Sequence, residues 1–237
     1  RGLIGSLQYG AVHTRPDISC SLSFLQSEIN KATVDTLLAA NRALHTAKNH
    51  SDVTIRIQPI PVDQLRFIAF SDASFASKAR PESHAGMFIL ATHEDIIQNK
   101  SCPISPLSWG TKKIQRVVKA LATTLDQLTW IRLYWAWILD PNVNWRKPDS
   151  VQDLPQAISV PTLKVTEQDV AVTDCKSLYD QQPEPQHHNE MIFAQLLARS
   201  IKDILAEGIA LHWVHSGAQL SDAPTKLMDA NFMRATL

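Results

Sequence analysis

The sequence predicts a mixed α/β domain, one five-stranded sheet with helices on its faces, preceded by a small helical annex. Two observations predict it. Short apolar runs fall into two sets, a meander of three between residues 65 and 109 and a later pair at 170–173 and 209–214. A long stretch of helical spacing separates the sets, and another lies inside the second. With 44% hydrophobic and 19% charged residues among 237, the chain can fill such a core, which excludes a disordered or low-complexity chain.

The elements follow in order. The first fifty residues read as helical. Arg15-Pro16-Asp17 puts a proline where a first helical turn tolerates it, with an acid suited to the helix dipole. Ile18, Leu22 and Leu25 then share one face. Thr33 caps a second helix whose apolar positions are Val34, Leu37, Leu38 and Leu44. Residues 53–57 alternate as a strand does until Pro59 and Pro61 break them. The run 65–70 is a buried strand ending at Ser71-Asp72, and 86–90 and 106–109 complete the meander.

Val117, Leu121, Leu125, Leu128, Ile131, Tyr134 and Ile138 keep helical spacing until Pro141 stops it. Residues 141–168 carry four prolines and read as an insertion or loop. The strand 170–173 ends at Asp174. Asn189 can cap a helix bearing Ile192, Phe193, Leu196 and Leu197, with Gly208 as its stop. The strand 209–214 follows, and Ser221-Asp222 opens a last helix.

Charge narrows the function classes only locally. The 23 Lys and Arg balance 23 Asp and Glu, so overall charge gives no argument for a nucleic-acid partner. No acid occurs from Ile96 to Leu125, while Lys100, Lys112, Lys113, Arg116 and Lys119 fall there: a cationic patch, or an ordinary solvated helix start. Cys20, Cys102 and Cys175 lie far apart without metal-ligand spacing, which favours a reducing compartment. No stretch approaches the roughly 20 apolar residues that cross a bilayer. The expectation is no membrane partner and an intracellular place, a cytoplasmic particle or the nucleus. A first residue that is Arg1 reads as a piece of a longer product.

Three aspartates share a context. Asp72 and Asp174 each follow an apolar strand run, and Asp222 opens a helix after another. Carboxylates at strand ends of an open α/β sheet can converge at one edge. Like charges so placed raise one another's pKa unless a cation neutralises them, and hard oxygen donors suit Mg²⁺. Two such ions about 3.5–4 Å apart clamp the attacking water and leaving oxygen of a phosphodiester cleavage. Taken singly, Asp222 reads equally as a helix N-cap, and Asp72 and Asp174 as turn formers. His215, in the loop after the last strand, has the side chain of a proton shuttle, with an ordinary pKa of about 6.5, or is a plain loop histidine.

The wording around these residues resembles a known family. Gly2-Leu3-Ile4-Gly5-Ser6-Leu7-Gln8-Tyr9, followed by Thr14-Arg15-Pro16-Asp17-Ile18, resembles the end of the reverse transcriptase of copia-type retrotransposons. Ser71-Asp72-Ala73-Ser74-Phe75-Ala76 resembles the first acidic motif of that family's ribonuclease H. Ser108-Trp109-Gly110-Thr111-Lys112-Lys113 resembles its SWSSKKQ strand and turn, and Thr173-Asp174-Cys175-Lys176-Ser177-Leu178 stands at its third carboxylate motif. Leu220-Ser221-Asp222-Ala223-Pro224-Thr225-Lys226 resembles the closing QLADxLTK. The motifs stand in family order over nearly the whole chain.

The resemblance implies an RNase H-like fold, with residues 1–52 from the end of the reverse transcriptase or connection region and 53–237 forming the ribonuclease H domain. It implies hydrolysis of the RNA strand of an RNA–DNA hybrid with two Mg²⁺ or Mn²⁺ ions, Asp72, Asp174 and Asp222 being three of four metal-ligating acids. The reverse transcriptase part of the same polyprotein is the second partner implied. Lys112, Lys113, Arg116 and Lys119, between the third strand and the long helix, are then phosphate contacts that position the hybrid. Recognition through backbone and 2′-hydroxyls implies weak sequence preference.

One departure matters. In the family the helix after SWSSKKQ opens with a run like RVVRSTLAAET, whose glutamate is the second metal ligand. Here Arg116-Val117-Val118-Lys119-Ala120 fits the opening, and the chain from Leu121 resembles the part beyond that glutamate. A short in-frame deletion accounts for this, and no Glu occurs between Glu94 and Glu167. Asp126 has a shorter side chain and is expected on the helix flank. The expectation is a chain that folds but cleaves hybrid poorly; the alternative is a non-catalytic nucleic-acid-binding relic of the same fold.

Overall fold

The computed structural model describes residues 1–74, 83–98, 100–114, 118–139, 169–173, 209–215, 219–221, 224 and 231–237, with only the backbone of Val118, Lys119, Phe232 and Thr236. The insertion expected at 141–168 and the helix expected after Asn189 lie outside the described residues.

The annex holds α1 (Gly2–His13), α2 (Ser19–Glu28) and α3 (Val34–Asn49). The proline-led segment expected to open α2 is a separate 3-10 turn, Pro16–Ile18. A residue before proline is disfavoured in the α region, and Arg15 has φ −131° and ψ 68°. Thr33 caps α3 as expected: Thr36 N donates to Thr33 Oγ1, and Thr33 N donates to Thr36 Oγ1. The buried face of α3 differs from the expectation, because Val34, Leu37 and Leu38 are exposed. Thr36, Ala40 and Ala43 face inward instead. Their small side chains let α3 approach the core of Ile4, Ile18, Leu22 and Leu25.

The sheet contains β1 (Leu65–Ser74), β2 (Ser83–His93), β3 (Ile104–Ile114), β4 (Asp169–Thr173) and β5 (Ile209–Trp213). Its order is β3-β2-β1-β4-β5, with β1 central. The pairs β1–β2 and β2–β3 are antiparallel, and β1–β4 and β4–β5 are parallel. Strands outrun the apolar runs that predict them, since ladder bonds use backbone groups and continue through polar residues wherever a partner strand lies alongside. Asp72 therefore lies inside β1, opposite Gly86, and not past its end. Lys112 and Lys113 lie on β3 and not in the link beyond it. Residues 53–57, expected as a strand, join no ladder. Arg56 N donates to Leu237 O at 3.0 Å and Gln58 N to Ser105 Oγ at 2.8 Å, while Pro59 and Pro61 have no N–H to offer.

Helix α4 (Val118–Leu139) covers one face, burying Leu121, Leu125 and Leu128 against Phe67, Ala69, Ile89, Ala91, Ala171 and Leu211. Each such fully buried leucine contributes about 1.5–3 kcal/mol. Tyr134 and Ile138, expected on this stripe, are exposed. The buried stripe passes instead through Arg132 and Ala136, because Arg132 is drawn inward by Asp169, Nε to Oδ2 at 2.7 Å. An apolar periodicity steps over a charged residue that the core accepts as half of a pair.

The opposite face packs Ile68, Phe70, Phe88, Leu90, Val170 and Val172 against Leu220, Met233 and Leu237 from the end of the chain, where α5 (Asn231–Thr236) lies. A mixed five-stranded sheet with flanking helices, preceded by a helical annex, is the RNase H-like architecture that the resemblance implies.

Candidate functional site

The site grows from the end of the central strand. Ile68 and Phe70 face the chain's end, while Phe67 and Ala69 face α4. Alternation then puts Asp72 on the face of Phe70, and Ala73 on the α4 side with Ala85 and Ala120. Asp72 is buried, at 7% exposure. Its partner across the ladder is Gly86, which in turn pairs with Thr111. A glycine inside a strand marks a place where another group approaches closely.

The end of β4 and Gln219 meet this end of β1, while Pro224 and the annex meet β3 in the same row. Ser71 pairs with Thr173 of β4, and Val214 N donates to Thr173 O at 3.1 Å. Gln219 Nε2 donates to Ser71 O at 3.1 Å. Thr111 Oγ1 donates to Pro224 O at 2.6 Å, and Ser19 Oγ of the annex lies 3.4 Å from Thr111 Oγ1. Thr173 immediately precedes position 174, and Ser221 and Pro224 flank position 222 in the chain. Asp174, Asp222 and Arg116 themselves lie outside the described residues, as does the side chain of Lys119. Among the described residues no three of His, Cys, Asp and Glu are gathered, so Asp72 is the described member of the expected acid set.

The other expected residues separate. His215 is exposed and follows β5 and Val214, in the loop where the sequence puts it. Lys112 and Lys113 are both exposed, but neighbours on a strand point to opposite faces. Lys113 shares the face of Thr111 and Asp72; Lys112 points to the α4 side, where it lines a cavity of about 250 Å³ with Gly86, Thr111, Ala120, Thr123 and Thr124. The α4 residues of that cavity are uncharged. Asp126, the only acid in the sequence of α4, is exposed. A larger cavity of about 550 Å³ lies at the other end of β1, between Leu65, Phe67, Leu107, Trp130 and Tyr134, with no carboxylate, histidine or basic residue in its wall.

Gln219 escaped the sequence reasoning. It is buried, at 3% exposure, and its Oε1 accepts no hydrogen bond from any described residue. An amide does not titrate, so a search for charged groups passes over it; its place three residues before Asp222 was the available signal. With Asp72 it makes the described donors of this sheet end oxygen atoms, the donor type that suits Mg²⁺.

No protein-family profile matches the chain, and no curated protein matches it. Among solved structures it is similar to the N-terminal RNase H domain of a Mycobacterium tuberculosis protein fused to maltose binding protein, with TM-score 0.38 and 11% identity over 72% of this chain and 96% of that one. It is similar to a foamy viral protease-reverse transcriptase in complex with RNA/DNA hybrid, with TM-score 0.35 and 8% identity over 72% of this chain and 21% of that one. For the native prototype foamy virus protease-reverse transcriptase the TM-score is 0.32 and the identity 13%, over 77% and 21% of the two chains. The strand order, register and hydrogen bonds described above stand without these likenesses.

Proposed function

We propose that the chain is the ribonuclease H region of a copia-type retrotransposon Pol polyprotein, that it binds RNA–DNA hybrid, and that its cleavage of the RNA strand is impaired. The observation that carries this reading is the meeting of Thr173 and Gln219 with Ser71 at the end of β1 that bears Asp72. Those residues are chain neighbours of the three aspartates that the sequence singles out. Residues 1–52 belong to the end of the reverse transcriptase region, whose remainder is the expected partner in the same polyprotein.

Asp72, Asp174 and Asp222 are the groups that would hold Mg²⁺ or Mn²⁺, with two ions in the complete site. When bound, the ions supply a water of lowered pKa and neutralise the leaving oxygen. The chain's own groups do the rest. Lys113, on the Asp72 face, and Lys112, Arg116 and Lys119 hold phosphates and set the register of the hybrid without reading bases. His215, exposed beside β5, exchanges protons with water as product leaves. No helix among the described residues is long and apolar enough to cross a membrane.

The reading of impairment rests on the sequence of α4, which carries no glutamate. Ala120, Thr123 and Thr124 line the cavity beneath Gly86 and Thr111, and Asp126 points to solvent. A site short of one carboxylate holds its ions weakly and misplaces the attacking water. A loss of about 3–4 kcal/mol in the barrier lowers the rate roughly 100- to 1,000-fold.

The test is cleavage and binding of a labelled RNA–DNA hybrid by the purified chain in Mg²⁺ and in Mn²⁺. The expected outcome is salt-sensitive binding with weak cleavage that Asp72→Asn abolishes. Ordinary turnover abolished by Asp126→Asn would reject impairment, and residual cleavage indifferent to Asp72→Asn would reject the site. Complete absence of cleavage with binding intact would identify the non-catalytic relic.

A further inference from the structure

We propose that Gln219 is a further member of the cation site, gripping the end of β1 with its amide nitrogen and accepting, through Oε1, a hydrogen bond from a water on the bound ion. This rests on the reading of Asp72 as a cation ligand. The carbonyl that Gln219 Nε2 holds at 3.1 Å belongs to the peptide joining Ser71 to Asp72. Gln219 therefore ties the segment leading to Asp222 directly to the backbone of Asp72.

That bond also orients the amide. Only the NH₂ group can donate to Ser71 O, so the oxygen must face elsewhere. Gln219 is 3% exposed, and Oε1 receives no hydrogen bond from any described residue. Leaving a buried acceptor unmade costs about 1–3 kcal/mol. The amide that donates to Ser71 O brings this oxygen with it, and the oxygen needs a donor of its own. A donor brought by a ligand removes the cost.

The chemistry at hand selects the donor. A small hard cation on carboxylates keeps several of its waters, and such a water is a strong donor. An uncharged acceptor orients it without adding another negative charge beside Asp72, where like charges would raise each other's pKa. Gln219 is on this account a positioning residue: it touches the hydration shell and not the metal.

The experiment measures Mn²⁺ affinity of the full chain by electron paramagnetic resonance, with metal-free thermal unfolding in parallel, for wild type, Asp72→Asn, Gln219→Leu and Gln219→Glu. Wild type is expected to bind Mn²⁺, and Asp72→Asn to lose it. Gln219→Leu should weaken Mn²⁺ binding roughly 10-fold or more, the usual effect of losing a partner in the outer shell. Gln219→Glu restores the acceptor but sets a carboxylate against the Ser71 carbonyl. Its Mn²⁺ affinity should match or exceed wild type while its metal-free Tm falls.

Those two opposite movements separate the proposal from a packing role, which lowers both together. Unchanged affinity in Gln219→Leu, or a Gln219→Glu protein weaker in both respects, overturns the assignment of Gln219 alone. If Gln219→Leu does not fold, Gln219→Glu decides. A wild type that binds no Mn²⁺, or an Asp72→Asn protein that binds it equally well, sinks the reading of Asp72 and this proposal with it.

Discussion

The junction of the annex with the C-terminal helix holds one buried aspartate, Asp17, and the junction of α4 with the sheet holds another, Asp169. Burial pushes both carboxyls up. At Asp17 the Arg15 fork, with Nε at 2.8 Å and Nη2 at 2.9 Å, and Arg234 Nε at 3.3 Å more than reverse it, so its pKa ends below the ordinary 3.8. At Asp169 the 2.7 Å pair with Arg132, the 2.9 Å bond from Phe67 N and the attraction of Arg66 fall short of the burial cost, and the pKa ends above 3.8. Two guanidinium groups in contact outweigh desolvation; one does not. Asp17 is held as an anion. Asp169 has its carboxyl raised by burial, against the pull of the Arg132 pair.

The largest effect that can break this contrast comes from Asn substitutions. Asp17→Asn leaves Arg15 and Arg234, both largely buried, without their counter-charge, and should cost about 3–5 kcal/mol in urea unfolding. Asp169→Asn leaves one buried guanidinium, Arg132, without its counter-charge, and should cost less, about 3 kcal/mol. Equal losses would refute the contrast.

Acid titration of stability is expected to sharpen it. A lowered carboxyl stabilises above its unfolded pKa, so the Asp17 contribution is present above pH 3.8 and fades as pH falls through the folded value. A raised carboxyl does the reverse: the Asp169 contribution is present below pH 3.8 and fades as pH rises through its folded value. Urea midpoints against pH should show the gap between wild type and Asp17→Asn closing on the acid side. The gap for Asp169→Asn should narrow toward neutrality.

Smaller effects test how the Asp17 junction reaches the site. Thr111→Val removes the 2.6 Å bond to Pro224 O and should cost about 1 kcal/mol, read as a lower Tm. Leu37→Gln, on the exposed face of α3, should change stability by less than about 0.5 kcal/mol; a clear loss would show that this face is covered.

Local signals were legible where local physics decides. The Thr33 cap depends on residues three apart, and the α4 stripe of Leu121, Leu125 and Leu128 depends on helical spacing alone. Apolar runs marked every strand but not its ends, and they marked residues 53–57, which join no ladder. The α3 face was misjudged because apolar spacing does not register that small residues permit close helix approach. Arg132 was overlooked because its partner is 37 positions away, as counted between 132 and 169 in the chain.

By itself the order of residues determined the element types, the mixed sheet and the aspartates worth following, because propensity, turn chemistry and motif wording are properties of short stretches. Only the tertiary structure decided that Asp72 lies inside a strand across from Gly86, that Lys112 and Lys113 part to opposite faces, and that Gln219 grips Ser71. Those facts depend on register and on contacts between segments as much as 148 residues apart. A sequence pattern carries no distance between such segments; the packing of the sheet supplies it.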